Sequence, residues 1–363
     1  MIVLIDRRID ADVGYLYIVK IRIESFVIAS MAGFLVIAAA MKYLLKPLIL
    51  LFVLFISVPT FAQYEHVDDK VRTYPVKFSN SAALAKRIAT DFSSDTDRAR
   101  AIFTWTALNI RYDLQAYYTR ENNGVAYSYT TPEDKIVKDR EFRKALVART
   151  LKTGKAVCEG YSSLVFLVAT ELNIEAVIIP GTSKNSYAEI GKLPKFSDHA
   201  WNALKIDGKW QLIDATWAAG VVNSATNKFE KRFNDVYFFT DPDKFFFNHY
   251  PEDPKWLLTD KTAADFAALP FYYPSYLSSD YVINADEGFI MFPKNVAVRF
   301  TIENLKPGDR LSYITTKDNT LEILPVDQDN YFVVPPSPKL SGYITFFVNE
   351  RPIVSYKIVN GRA

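Results

Sequence analysis

The chain has 363 residues, ordinary hydrophobic and charged fractions of 49% and 23%, and a formal net charge of +2. Six basic and four acidic side chains before position 63 supply that excess, so the remainder is neutral, whereas a nucleic-acid binder would carry a basic surplus on its folded part. Aromatic residues make up 15%, which favours strands and aromatic-lined clefts over long coiled helices, and a single cysteine, Cys158, leaves no internal disulfide.

The N-terminal region reads as an export signal. Met41-Lys42-Tyr43-Leu44-Leu45-Lys46 is a short basic segment, an apolar run follows from Leu48 to Val58, and Thr60-Phe61-Ala62 offers the small residues of a cleavage site. Translation starting at Met41 would leave residues 1–40 outside the product. A rival reading makes Phe26–Ala40 and Leu48–Ala62 two membrane segments, though each is shorter than the ~20 residues a spanning helix needs. Cleavage after Ala62 would put the mature protein in the periplasm or outside the cell without stable membrane insertion; uncleaved, it would be membrane-tethered.

Gln63 to Phe78 reads as an irregular or extended lead-in. Ser79–Phe92 and Thr96–Ile110 carry helical spacing, with Ala99, Ile102, Phe103, Thr106 and Ile110 on one face and Asp95 as an N-cap. Residues 113–140 are polar and tyrosine-rich, predicting a loop with some helix near Lys138–Leu151. Tyr161, Leu164, Val165, Val168 and Leu172 predict a helix that begins at Cys158. Glu175–Ile179 reads as a strand ended by Pro180-Gly181, and 192–196 as a loop. His199–Ile206 and Lys209–Trp217 read as two strands joined at Asp207-Gly208, a strong hairpin turn. From Phe271 onward short alternating runs at Val296–Ile302, Leu311–Thr315, Tyr331–Val334, Tyr343–Val348 and Ile353–Val359 predict a small β-sandwich.

Cys158 is open to two readings, a buried structural thiol acting as a small hydrophobe or a nucleophile. At a helix start the free amides and dipole favour the thiolate, which attacks acyl carbons. In the hairpin, Ile206 facing Lys209 sets Trp201 opposite Asp214 and His199 opposite Thr216, which makes His199 and Asp214 diagonal neighbours on one face. Asn202 points to the other face, so this geometry selects Asp214 as the group that orients the imidazole. Separately, His199 also reads as a strand histidine bonded to a neighbour, and Asp214 as a salt-bridged or edge residue. Trp201, Trp210 and Trp217 read as hairpin packing, with one available to edge a cleft. The histidines His66 and His249 lie far from His199 in sequence, no Cys/His spacing suggests zinc, and no glycine-rich phosphate loop follows a strand. Neither a metal nor a cofactor is expected, and His249 reads as a structural contact.

These residues carry a resemblance. Gly154-x-x-x-Cys158-x-Gly160-Tyr161, His199-Ala200-Trp201-Asn202, Asp207-Gly208-x-Trp210 and Asp214-x-Thr216-Trp217, in that order, resemble the signature of the transglutaminase-like superfamily of papain-like thiol enzymes. Tyr237-Phe238-Phe239 with His249-Tyr250-Pro251-x-Asp253-Pro254-x-Trp256, and Arg100-Ala101-Ile102-Phe103-x-Trp105 with Asn109-Ile110-Arg111-Tyr112, are similar to the branch related to kyphoscoliosis peptidase. The resemblance spans about residues 75–260. It implies an α+β, papain-like core with an antiparallel sheet, a nucleophile helix and a Cys158–His199–Asp214 triad, the Cys158 amide serving an oxyanion hole. The expected organisation is a leader over 1–62, a catalytic domain over 63–269 and an Ig-like β-sandwich over 270–363. The expected activity is acyl transfer from peptide or glutamine amides through a Cys158 thioester, tilted toward hydrolysis, on extracytoplasmic proteins or cell-envelope peptides. The alternative is an exported binding scaffold that keeps the fold without turnover.

Overall fold

A computed structural model describes residues 63–119, 128–223, 226–293, 295–338 and 340–360. The proposed leader, with its signal and cleavage site, lies outside them. The described residues from His66 onward form one compact unit, and no helix among the described residues is long and apolar enough to cross a membrane.

The lead-in is more ordered than its sequence suggested. Glu65–Arg72 is a helix (α1), because Val67 and Val71, one turn apart, both become fully buried. Helix α2 (Ser81–Asp91) is capped by Asn80, whose side chain accepts from the Ala83 amide. Helix α3 (Asp95–Asn109) is capped by Ser94 rather than Asp95, with the serine hydroxyl accepting from the Asp97 amide. Asp95 instead occupies the first turn, where its charge complements the helix dipole. A short helix, α4 (Leu114–Thr119), was not anticipated in the tyrosine-rich stretch. Helix α5 (Pro132–Thr153) starts earlier than its apolar spacing shows, because Thr131 caps it and Pro132 takes the first turn; Gly154 ends it at φ 68°.

Helix α6 (Cys158–Glu171) begins where the sequence placed it. It packs against a five-stranded antiparallel sheet whose order is β4 (Phe238–Thr240), β3 (Lys209–Ile213), β2 (His199–Ile206), β1 (Ala176–Ser183), β5 (His249–Pro251). Strand β1 runs through Pro180-Gly181 instead of ending there. Pro180 still accepts from the Glu252 amide, and Gly181 fits because a Cβ there would lie 2.3 Å from the Trp201 ring and 2.4 Å from the Tyr250 carbonyl. The β2–β3 hairpin has the expected register, Ile206 against Lys209 through Asn202 against Ile213. Strand β3 then stops at Ile213, and Ala215–Ala219 is a helical turn, α7, capped by Asp214.

Phe271–Tyr272 opens a second region of β structure. One sheet orders Phe271–Tyr272, Arg351–Asn360, Tyr343–Val348, Leu311–Thr315 and Asp318–Leu324, with Phe289–Phe292 running parallel to Arg351–Asn360. A three-stranded sheet (Val282–Ile283, Val298–Glu303, Tyr331–Val334) covers it. Phe300 stacks on Phe332 at 5.2 Å, and Phe346 of the larger sheet meets both edge-on at 5.4 and 5.3 Å. Apolar residues from both inner faces therefore share one core, the arrangement of a sandwich. Together the described residues make an α+β chain.

Candidate active site

Cys158 is the first residue of α6. Val157 precedes it as an N-cap that supplies no side-chain hydrogen bond, so the first amides of the helix stay open beside the sulfur. Two contacts fix where that end sits. Gly160 lets α6 approach α5 closely, since a Cβ there would stand 2.6 Å from the Ala156 Cβ and 2.9 Å from the Thr150 hydroxyl. The Tyr161 hydroxyl donates to the Ile110 carbonyl at 2.7 Å, tying α6 to the end of α3.

Asn202 anchors the same helix from below. Its amide nitrogen donates to the Ser162 carbonyl of α6 and to the Val177 carbonyl of β1, both at 3.0 Å. As the sequence implied, it does not face the imidazole; it holds α6 to the sheet.

His199 opens β2 and is buried. Its Nε2 donates to Asp214 Oδ2 at 2.7 Å, which leaves Nδ1 for another partner, and a hydrogen bond with the Cys158 side chain is among the causes that raise the ring. The pairing of His199 with Asp214 was expected, but not by this route. His199 has no Thr216 opposite it, because the sheet has already ended. Asp214 reaches the imidazole as the cap of α7: Oδ1 accepts the Thr216 and Trp217 amides at 2.8 and 3.1 Å, which turns Oδ2 toward the histidine. Two backbone donors thus fix the carboxylate that fixes the imidazole.

Oδ2 has a second partner. His249 Nε2 donates to it at 3.0 Å from β5, and both side chains are fully buried. His249 was read only as a structural contact. Nothing in its local sequence betrays the position, which follows from β5 pairing with the far edge of β1. Phe245 stacks on its ring at 4.0 Å, and Trp217 and Trp201 lie at 4.7 and 5.0 Å.

Burial works against a charged His199, but the Asp214 carboxylate, its hydrogen bond and the Cys158 thiol outweigh it and raise the imidazole to about 10. Burial likewise pushes the Asp214 carboxyl up, and His199 and His249 together hold it well below the usual carboxylate range. For His249 burial wins over the attraction of Asp214, so its pKa falls below that of a free imidazole. The two rings are therefore pushed in opposite directions, His199 toward the imidazolium and His249 toward the neutral form.

His199, Asp214 and His249 present ligating atoms within 4.8 Å of one another, close enough to hold a metal ion. Separations of 2.7 and 3.0 Å from one shared oxygen are those of hydrogen bonds, and they satisfy that oxygen without an ion.

A cleft of about 690 Å³ opens over His199, lined by Tyr112, Tyr117, Asp198, Trp217 and Phe271 among others. Of the hairpin tryptophans, Trp217 edges this cleft, Trp201 is buried beside the histidines, and Trp210 packs edge-on against Trp256 at 5.0 Å. His66 lies far off, within 3.4 Å of Asp97 on the surface.

A family model described as the Transglutaminase-like superfamily matches residues 82–215, the stretch that holds Cys158, His199 and Asp214. The chain carries a transglutaminase-like domain. Kyphoscoliosis peptidase from Mus musculus is 32% identical over 198 residues, covering 54% of this chain and 26% of that protein. The Homo sapiens protein of the same name is 31% identical over 199 residues, covering 54% and 27%. The chain thus spans about a quarter of these relatives' length. A solved structure titled as a TGase is similar over 55% of this chain and 43% of its own, with 19% identity and a TM-score of 0.26. The transglutaminase-like match ends at Ala215, so His249 and the Phe271 side of the cleft lie beyond it.

Proposed function

We propose that this protein is a cysteine acyl-transfer enzyme that opens amide bonds through a Cys158 thioester, with water as its preferred acceptor. One observation carries the reading: Asp214 holds His199 at 2.7 Å on one nitrogen, and the same ring interacts with the side chain of Cys158, the first residue of α6.

The steps follow from the charges. His199 holds the proton that leaves Cys158, and the thiolate adds to the carbonyl carbon of the amide. The open amides at the start of α6 favour the negative oxygen that forms. The C–N bond breaks as His199 returns its proton to the departing nitrogen. Water then adds to the thioester, its proton passes to His199, and the C–S bond breaks to release the acid and restore the thiolate. Asp214 keeps one tautomer and one ring orientation throughout.

Hydrolysis rather than cross-linking is supported by the relatives named as peptidases, similar over 54% of this chain. Cys158→Ala should abolish amide cleavage, and His199→Ala should lower it by ~10³-fold or more, the scale on which triad members act. Full activity in Cys158→Ala would leave a binding scaffold as the better description.

The site is proposed to work outside the cytoplasm, on extracytoplasmic proteins or envelope peptides. Support comes from the basic segment Met41–Lys46, the apolar run after it and the small residues before Gln63. N-terminal sequencing of the mature protein should begin at Gln63; a start upstream of Leu48 would mean tethering instead.

A further inference from the structure

The cleft over His199 is aromatic on its walls and acidic at one point. Asp198 is the one carboxylate among its described lining residues, and that lining contains no lysine or arginine. Asp198 is built in place. Its amide donates to the Gly181 carbonyl at 3.0 Å, and Oδ1 accepts from the Ser183 amide at 2.7 Å and the Ser183 hydroxyl at 3.2 Å. Those bonds immobilise one oxygen and leave Oδ2 for a ligand. The residue itself is exposed and immediately precedes His199.

Tyrosines share the cleft with that carboxylate. Tyr112 and Tyr117 line the same cleft as Asp198, and after burial the charges of Cys158 and Asp198 help to raise both hydroxyls. Tyr117 lies 6.0 Å from Tyr112 and 5.4 Å from Tyr118, and Tyr117 and Tyr118 are 49% and 59% exposed, so their faces are open to a ligand. An anchored carboxylate beside open aromatic faces attracts cations by charge and by the ring quadrupole together. Asp198 disfavours an acidic side chain beside it, and a neutral one would leave its second oxygen to water.

We infer that the cleft recognises a basic side chain, arginine or lysine, next to the amide presented to Cys158, with the cation held on Asp198 beside Tyr117. The inference deepens the acyl-transfer reading and rests on it for the chemistry, though not for the binding. Arginine is the cleaner probe, because a guanidinium stays protonated and cannot serve as an amine acceptor.

The experiment uses the Cys158→Ser chain, which binds without turnover, titrated with a capped hexapeptide carrying a central arginine and with its citrulline counterpart. The arginine peptide should bind at least tenfold more tightly, the ratio should fall toward one in Asp198→Asn, and Asp198→Glu should keep part of it. A ratio near one, a ratio unchanged by Asp198→Asn, or no measurable binding of either peptide overturns the inference. Incubating the same peptides with the unmutated protein separates the two claims. Arginine-selective binding without cleavage would sink acyl transfer and leave recognition standing, and cleavage without arginine selectivity would do the reverse.

Discussion

Two histidines share one carboxylate oxygen, and their protons do not titrate alike. The folded state raises His199 from its ordinary 6.5 to about 10, so it binds that proton more tightly than the unfolded chain does. The resulting stabilisation is complete below about pH 6.5 and fades as pH rises through about 10. Replacing His199 by glutamine should therefore lower the urea midpoint most near pH 6, with the gap to the unmutated protein closing above pH 10. A gap that widened with pH would contradict the ion pair. Asp214 has the opposite sign: its carboxyl is depressed, so its contribution is present above the ordinary carboxylate range and is lost as pH falls.

At the scale of elements, the position of the sulfur depends on how closely α6 approaches its neighbours. Gly160→Ala would force a Cβ to within 2.6 Å of Ala156, closer than packed carbons tolerate, and the start of α6 must then shift. A loss of ~1–3 kcal/mol in denaturant unfolding is expected, typical of overpacking, together with slower alkylation of Cys158. Unchanged stability and alkylation would mean that the helix start is not held there. The sequence made much of this site legible, because α6 and the β2–β3 hairpin are local: their apolar spacing and the Asp207-Gly208 turn fix the start and the register. Extending the hairpin to Trp217 leads to the His199–Asp214 pairing that the structure has, although the strand ends at Ile213; Ala215–Ala219 coils because Asp214 caps it, a competition that alternation alone does not reveal. His249 and Asp198 were missed for another reason. Their roles depend on β5 pairing with β1 and on the loop ahead of β2 bonding to Ser183, both contacts between segments distant in sequence.

For the whole molecule, one buried lysine fastens the sheet of the site to the helix that leads into the C-terminal strands. Lys184 is wholly inaccessible, and its ammonium donates to the Phe266 and Leu269 carbonyls at 2.6 and 2.9 Å, at the end of the helix Ala263–Ala268. The adjacent Asn248, next to His249, donates to the carbonyls of Lys184 and of Tyr272 in the C-terminal sheet. Lys184→Met should orphan two carbonyls and cost ~2 kcal/mol or more in unfolding, with near-native helix content. Burial lowers this amine to about 8, so the folded chain releases its proton before the unfolded one, and that part of stability rises with pH between about 8 and 10.5. The variant should lack that rise.

The single cysteine has a chemical corollary. A sulfenic acid formed on Cys158 by an oxidant finds no second thiol in this chain to condense with, since the sequence contains one cysteine. Repair must come from an external reductant, and without it oxidation proceeds to the sulfinic state and stays there. If Cys158 is the proposed nucleophile, the protein's working lifetime therefore becomes a function of the redox poise around it.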